Sequence, residues 1–115
     1  MKILITGSRN IKDKQSVFNQ LDSFVNHFTD IIVHGGATGV DLIAEEWCKQ
    51  NKVKSMIVRP VHESKKEYYL HRNAEMVGMC DMCLAFWDGK SRGTQFTINY
   101  AKQRNLVTKV FEVQR

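Results

Sequence analysis

The sequence predicts a doubly wound α/β domain, a parallel sheet with helices on both faces, and three observations lead to it. Short continuous apolar runs recur (Ile3-Leu4-Ile5, Ile31-Ile32-Val33, Met56-Ile57-Val58, Cys83-Leu84-Ala85-Phe86) without the polar alternation of a one-sided sheet, as in strands buried on both faces. Between these runs, apolar residues return every three or four positions, which places them on one stripe of a helix. The runs are closed by Gly7-Ser8-Arg9, His34-Gly35-Gly36, Arg59-Pro60 and Asp88-Gly89, residues that turn a chain at a strand end. A chain of 115 residues with 43% hydrophobic content is one domain's worth of core. Residues 1–115 are therefore expected to form a single Rossmann-like domain, five strands alternating with four helices through right-handed crossovers.

The first strand covers Lys2 to Thr6. Asp13 then supplies an N-cap, and Val17, Phe18, Leu21, Phe24, Val25 and Phe28 make the buried stripe of the first helix. Ile31 to Val33 is the second strand, and Val40, Ile43, Ala44, Trp47 and Cys48 mark the second helix. Met56 to Val58 is the third strand, stopped by Pro60, which cannot continue a ladder. Ser64-Lys65-Lys66-Glu67 fits a capping box, so the third helix is expected over about 65–78. Met82 to Trp87 is the fourth strand, Thr94 to about Arg104 the fourth helix, and Val107 to Val113 an edge strand.

Composition narrows the function. No window approaches the roughly eighteen apolar residues of a spanning helix, and the apolar start is too short for a signal peptide, so no membrane partner and a cytoplasmic location are expected. Three cysteines are an odd number, and Cys80-Asp81-Met82-Cys83 offers half a structural zinc site; the plainer reading makes Cys80 a helix end and Cys83 a small buried strand residue, with no metal. The net charge of +5 favours anionic partners. Its lysines (Lys12, Lys14, Lys49, Lys52, Lys54, Lys65, Lys66, Lys102) are scattered, which argues against a nucleic-acid track.

In an open parallel sheet, ligands sit beyond the carboxyl ends of the strands. The connections there are Gly7-Ser8-Arg9-Asn10, Gly35-Gly36-Ala37-Thr38-Gly39-Val40-Asp41, Arg59-Pro60-Val61-His62, and Asp88 through Ser91-Arg92-Gly93-Thr94. Glycine lets backbone approach a ligand, and free N–H groups at a helix start attract anionic oxygen, which points to phosphate. Neither the phosphate-binding lysine loop nor the dinucleotide fingerprint is present. Arg9 and Arg92 are the candidate cations, Thr38 and Thr94 the hydroxyls, and Asp41 the carboxylate that accepts from a sugar, orients Arg9 or simply complements its helix dipole. Tyr68, Tyr69 and Trp87 could stack on a base, although Trp87 at the end of a buried strand is better read as core.

Taken in order, Ile5-Thr6-Gly7-Ser8-Arg9, Gly35 through Asp41, and Phe86 through Thr94 resemble the SLOG superfamily in its YspA and YpsA-related branch. That resemblance runs from the first strand to the fifth. It implies strand order 3-2-1-4-5, with Gly7 to Arg9 central, and a nucleotide or nucleotide-derived ligand (AMP, ADP-ribose or NAD-derived) bound by a sensor, sequestering or accessory module without a further cofactor. The superfamily includes the LOG phosphoribohydrolases, and His71-Arg72-Asn73-Ala74-Glu75-Met76 looks like their arginine motif, making Arg72 and Asp41 the candidate catalytic residues. Their glutamate position holds Thr97, which cannot act as a carboxylate base and puts that hydrolysis in doubt. Resemblance to LOG proteins also implies a homodimer or larger closed assembly. The DprA-type proteins, which bind single-stranded DNA, are similar at Gly39-Val40-Asp41, and such binding is the minority reading.

Overall fold

In a computed structural model that describes residues 1–114, the elements follow one another as β1 (Lys2–Gly7), α1 (Lys14–Phe24), β2 (Ile31–His34), α2 (Val40–Asn51), β3 (Lys54–Ile57), α3 (Lys66–Met79), β4 (Met82–Trp87), α4 (Arg92–Gln103) and β5 (Val107–Glu112). The five strands form one sheet in the order β3-β2-β1-β4-β5, parallel throughout. This is the expected Rossmann-like order. Register sets the site: Gly7 lies beside Phe86, so the ends of the two central strands open at the same level.

The sheet separates two apolar layers. On one side Ile3, Ile5, Leu84 and Phe86 pack with Val17 and Leu21 of α1 and Ile43, Ala44 and Trp47 of α2. On the other, Leu4, Val33, Cys83 and Ala85 meet Met76 and Val77 of α3 and Ile98 and Ala101 of α4. Alternation along β1 thus sends one set to each layer, and both sets are apolar because both faces are covered. Cys48 belongs to the first layer and Cys80 and Cys83 to the second, all buried, and burial pushes each thiol up to about 12.

Four boundaries differ from the sequence reading. The first helix stops at Phe24, and Phe28, expected on its buried stripe, is 97% exposed. Asn26 is the reason: its side chain accepts from the amides of Phe28 and Thr29 while Asp30 accepts from its own amide, a turn that competes with the helix. The capping box at Ser64 does not form; Lys65 occupies the cap in an extended conformation with no side-chain bond. Nearby, the Tyr69 hydroxyl donates to the Glu63 carbonyl at 2.6 Å. The fourth helix starts at Arg92 instead of Thr94, because Ser91 Oγ takes the Thr94 amide. The third strand is Lys54–Ile57, an exposed edge, and Val58 extends its pairing by one bond to the His34 carbonyl.

Candidate functional site

Glycine at position 39 lets the start of α2 lie against the end of β1, and glycine at position 35 makes room for Arg72 of α3. Gly39 holds φ +83°, and a Cβ there would sit 2.5 to 2.7 Å from the backbone of Ser8 and Arg9. A side chain at Gly35 would strike the Arg72 guanidinium. The amino ends of α2 and α4 therefore flank the mouth above β1 and β4. Between them and α3 lies a cavity of about 490 Å³, a size suited to a small ligand.

Three connections reach its wall. Gly7, Arg9 and Asn10 come from the loop after β1, Ala37 and Asp41 from the turn into α2, and Ser91, Gly93 and Thr94 from the start of α4. A fourth side is α3, through Lys66, Tyr69, Leu70, Arg72, Asn73 and Met76. Orphan N–H groups at the two helix starts and the cations Arg9, Lys66 and Arg72 make the lining electropositive, and Leu70 and Met76, on the same helix as Lys66 and Arg72, add apolar surface. The guanidinium carbons of Arg9 and Arg72 lie 5.1 and 5.4 Å from the Tyr69 ring centre.

The β2–α2 turn is largely bonded to itself. Asp41 Oδ2 accepts from the amides of Gly35 and Ala37, each at 3.1 Å, and His34 Nδ1 accepts from Gly36 at 3.0 Å. Because Nδ1 accepts, the ring proton sits on Nε2, which donates to Glu45 at 2.8 Å. The amides expected to cradle phosphate at Gly35, Gly36 and Ala37 are thus occupied by side chains of the same segment. Burial raises the Asp41 carboxyl above the ordinary aspartate range, against the opposing pull of His34, the two amides and Arg72.

Arg72 is a buried clamp as much as a wall residue. Its Nη1 donates to the carbonyls of Gly35 (2.7 Å) and Val58 (3.0 Å), and its Nε to Asn73 (2.8 Å). It ties α3 to the ends of β2 and β3, and burial opposes its charge. Ser8 is 1% exposed and accepts the Asp88 amide through Oγ, linking the β1 and β4 ends away from the cavity. Asp88 Oδ1 accepts from Lys90 and Ser91, shaping the loop. Arg92 is exposed and contributes nothing to the wall, one position before the residues that do. Gly35, Gly36 and Thr38 line a smaller neighbouring cavity. Thr97 is fully buried and donates back to the Gly93 carbonyl, so no carboxylate faces the cavity from that turn. Of the aromatics, Tyr69 joins the wall, whereas Tyr68 packs against His62 and Trp87 donates to the Ser91 carbonyl.

Sequence reasoning missed Thr6, Lys66, Leu70, Asn73 and Met76. Four of these lie on α3 at spacings of three and four, so the same periodicity used to find buried stripes would have found this face. Among the described residues, no group of three or more His, Cys, Asp or Glu is placed to hold a metal, and no helix is long and apolar enough to cross a membrane.

Comparison with known proteins places this geometry. The chain is 34% identical to the Gene 61 protein of Mycobacterium phage D29, covering 91% of each sequence. Its fold matches DNA processing protein A of Streptococcus pneumoniae (TM-score 0.80, 20% identity, 95% of this chain and 49% of that one). It also matches Helicobacter pylori DNA processing protein A, in a structure concerned with single-stranded DNA binding (TM-score 0.77, 21% identity, 99% and 68%). A third match is TM1055 (TM-score 0.71, 14% identity, 93% and 71%). The chain spans about half the length of the Streptococcus protein. Residues 1–63, more than half of the sequence, fit the YspA, cpYpsA-related SLOG family, and to that family the chain belongs.

Proposed function

We propose that this cavity binds a nucleotide or nucleotide-derived ligand of the AMP, ADP-ribose or NAD-derived type, and that the protein serves as a sensor, sequestering or accessory module. One observation supports the reading above others: two helix amino ends and three cations converge on a cavity that also carries apolar surface from Leu70 and Met76. Phosphate suits the helix amino ends and cations, and a base the apolar surface, with Tyr69 available for stacking. Asp41 keeps Oδ2 on the loop amides, leaving Oδ1 for a sugar hydroxyl. Calorimetric titration with AMP, ADP-ribose and NAD is expected to show saturable binding. Absence of heat at millimolar ligand would remove the proposal.

Hydrolysis of an N-glycosidic or phosphate bond is the second reading, favoured by the position of the Asp41 carboxyl on the cavity wall, with burial raising it above the ordinary aspartate range in the direction a general acid needs. Product release seen by chromatography, and lost in Asp41→Asn with ligand affinity kept, would establish it. The Helicobacter relative of the fold is described with single-stranded DNA, and phosphate is common to both ligand classes. Retention on oligonucleotides that falls steeply with salt would move the proposal to nucleic acid. A homodimer or larger assembly is part of the same proposal, with exposed Met56 and Ile57 on edge strand β3 as apolar surface to cover.

A further inference from the structure

Beside the main cavity lies a second, of about 240 Å³, and the two share Arg9, Ala37 and Tyr69 as a common wall. Its own contributions are Arg59 and Pro60 from the loop after β3, Thr38 from the turn into α2, and Glu63. The Arg59 guanidinium lies over Gly36, where a Cβ would stand 3.0 Å from its Nη1.

Charge around this wall is unbalanced. Arg9 and Arg59 both stand near enough to Arg72 to oppose its charge, and Asp41 is the carboxylate that counters it. None of the three arginines makes a salt bridge among the described residues, although Glu63 lies on the same cavity. Three like charges held together cost stability unless an anion joins them. Arg72 is committed to backbone carbonyls, whereas Arg9 and Arg59 are exposed and have no hydrogen-bonded partner among the described residues. Arg9 borders both spaces, so an anion on either side of it meets a guanidinium.

We infer that the smaller cavity is a second anion subsite, and that the ligand carries two phosphate groups and reaches across Arg9, one toward the helix amino ends and one between Arg9 and Arg59. This rests on the nucleotide reading of the main cavity and narrows it to nucleotides with more than one phosphate. Arginine suits the second position because its planar fork meets two phosphate oxygens together.

The test is titration at fixed ionic strength with AMP, adenosine 3′,5′-bisphosphate and ADP-ribose, on the unmodified chain and on Arg59→Gln. At least one two-phosphate probe is expected to bind roughly tenfold more tightly than AMP, the gain of a charge-assisted contact. Arg59→Gln should abolish that advantage while AMP affinity stays within about twofold. Equal affinity for all three probes, or an Arg59→Gln effect that falls alike on AMP and the others, overturns the second subsite and leaves the nucleotide reading standing. No binding of any probe at millimolar concentration overturns both. Arg59 is exposed, so the variant should fold, and an unchanged thermal transition checks that it has.

Discussion

The β2–α2 and β4–α4 connections use much the same residues, glycine followed by a hydroxyl at a helix start, and put their glycines to opposite purposes. In the first, glycine removes a side chain so that protein can meet protein: Gly39 against the Ser8 and Arg9 backbone, Gly35 against Arg72. In the second, a Cβ at Gly93 would meet nothing within 4 Å, and the residue lines the cavity. Occupied amides at Gly35, Gly36 and Ala37 sharpen the contrast with the α4 start, where Ser91 satisfies the Thr94 amide and the first-turn amides before it belong to the orphan set. A glycine-rich turn thus signals close approach, and only the surroundings decide whether what approaches is ligand or protein.

Gly39→Ala is expected to have the largest effect on this contrast. Its φ of +83° and the backbone oxygens 2.5 to 2.6 Å from the added carbon leave no rotamer to relieve the clash, and a loss of about 4 kcal/mol in urea denaturation is expected. A loss under about 1 kcal/mol would mean that the first turn is as open as the second. Asp41→Ala comes next, leaving two amides without their acceptor at about 3 kcal/mol, whereas Asp41→Asn keeps an acceptor oxygen and should cost less. The pH dependence has a definite sign. A carboxyl raised in the folded state holds a proton that the unfolded chain releases, so its contribution is complete below the ordinary aspartate range and falls as pH rises through the folded value. Stability of the unmodified chain relative to Asp41→Asn should therefore decline from about pH 4 upward. A rising difference would show that the amides and Arg72 outweigh burial.

Gly93→Ala should have the smallest effect on stability. In the first turn of α4 the substitution should be neutral or stabilising by up to about 1 kcal/mol, while the new methyl narrows the mouth and weakens AMP binding. Loss of stability with unchanged affinity would reverse the assigned roles of the two loops.

The sheet was legible because both central strands are apolar on both faces, and Ile3-Leu4-Ile5 and Cys83-Leu84-Ala85-Phe86 allow no other reading at that length. Convergence of Arg9, the Gly35–Asp41 turn and Thr94 on one rim followed from topology, since strand ends fix where loops meet. What sequence could not show was how the polar groups would be used. Asp41, Ser8 and Asp88 have the chemistry of ligands and also bond to neighbouring amides, because a tight turn leaves donors that must be satisfied whether or not a ligand is bound. The same need explains Phe28, where the Asn26 turn overrode a helical stripe, and Arg92, displaced from the wall once Ser91 became the cap.

The three thiols described with the two apolar layers have a practical consequence. Each is held neutral and away from solvent, so an alkylating reagent can reach one only when its surroundings part. Cys48, on α2, belongs to the layer that α1 and α2 cover and the other two to the layer that α3 and α4 cover, so the chain carries a chemical clock on each side of its sheet. If a ligand seats against α3, it should slow the clock at Cys80 and Cys83 more than the one at Cys48.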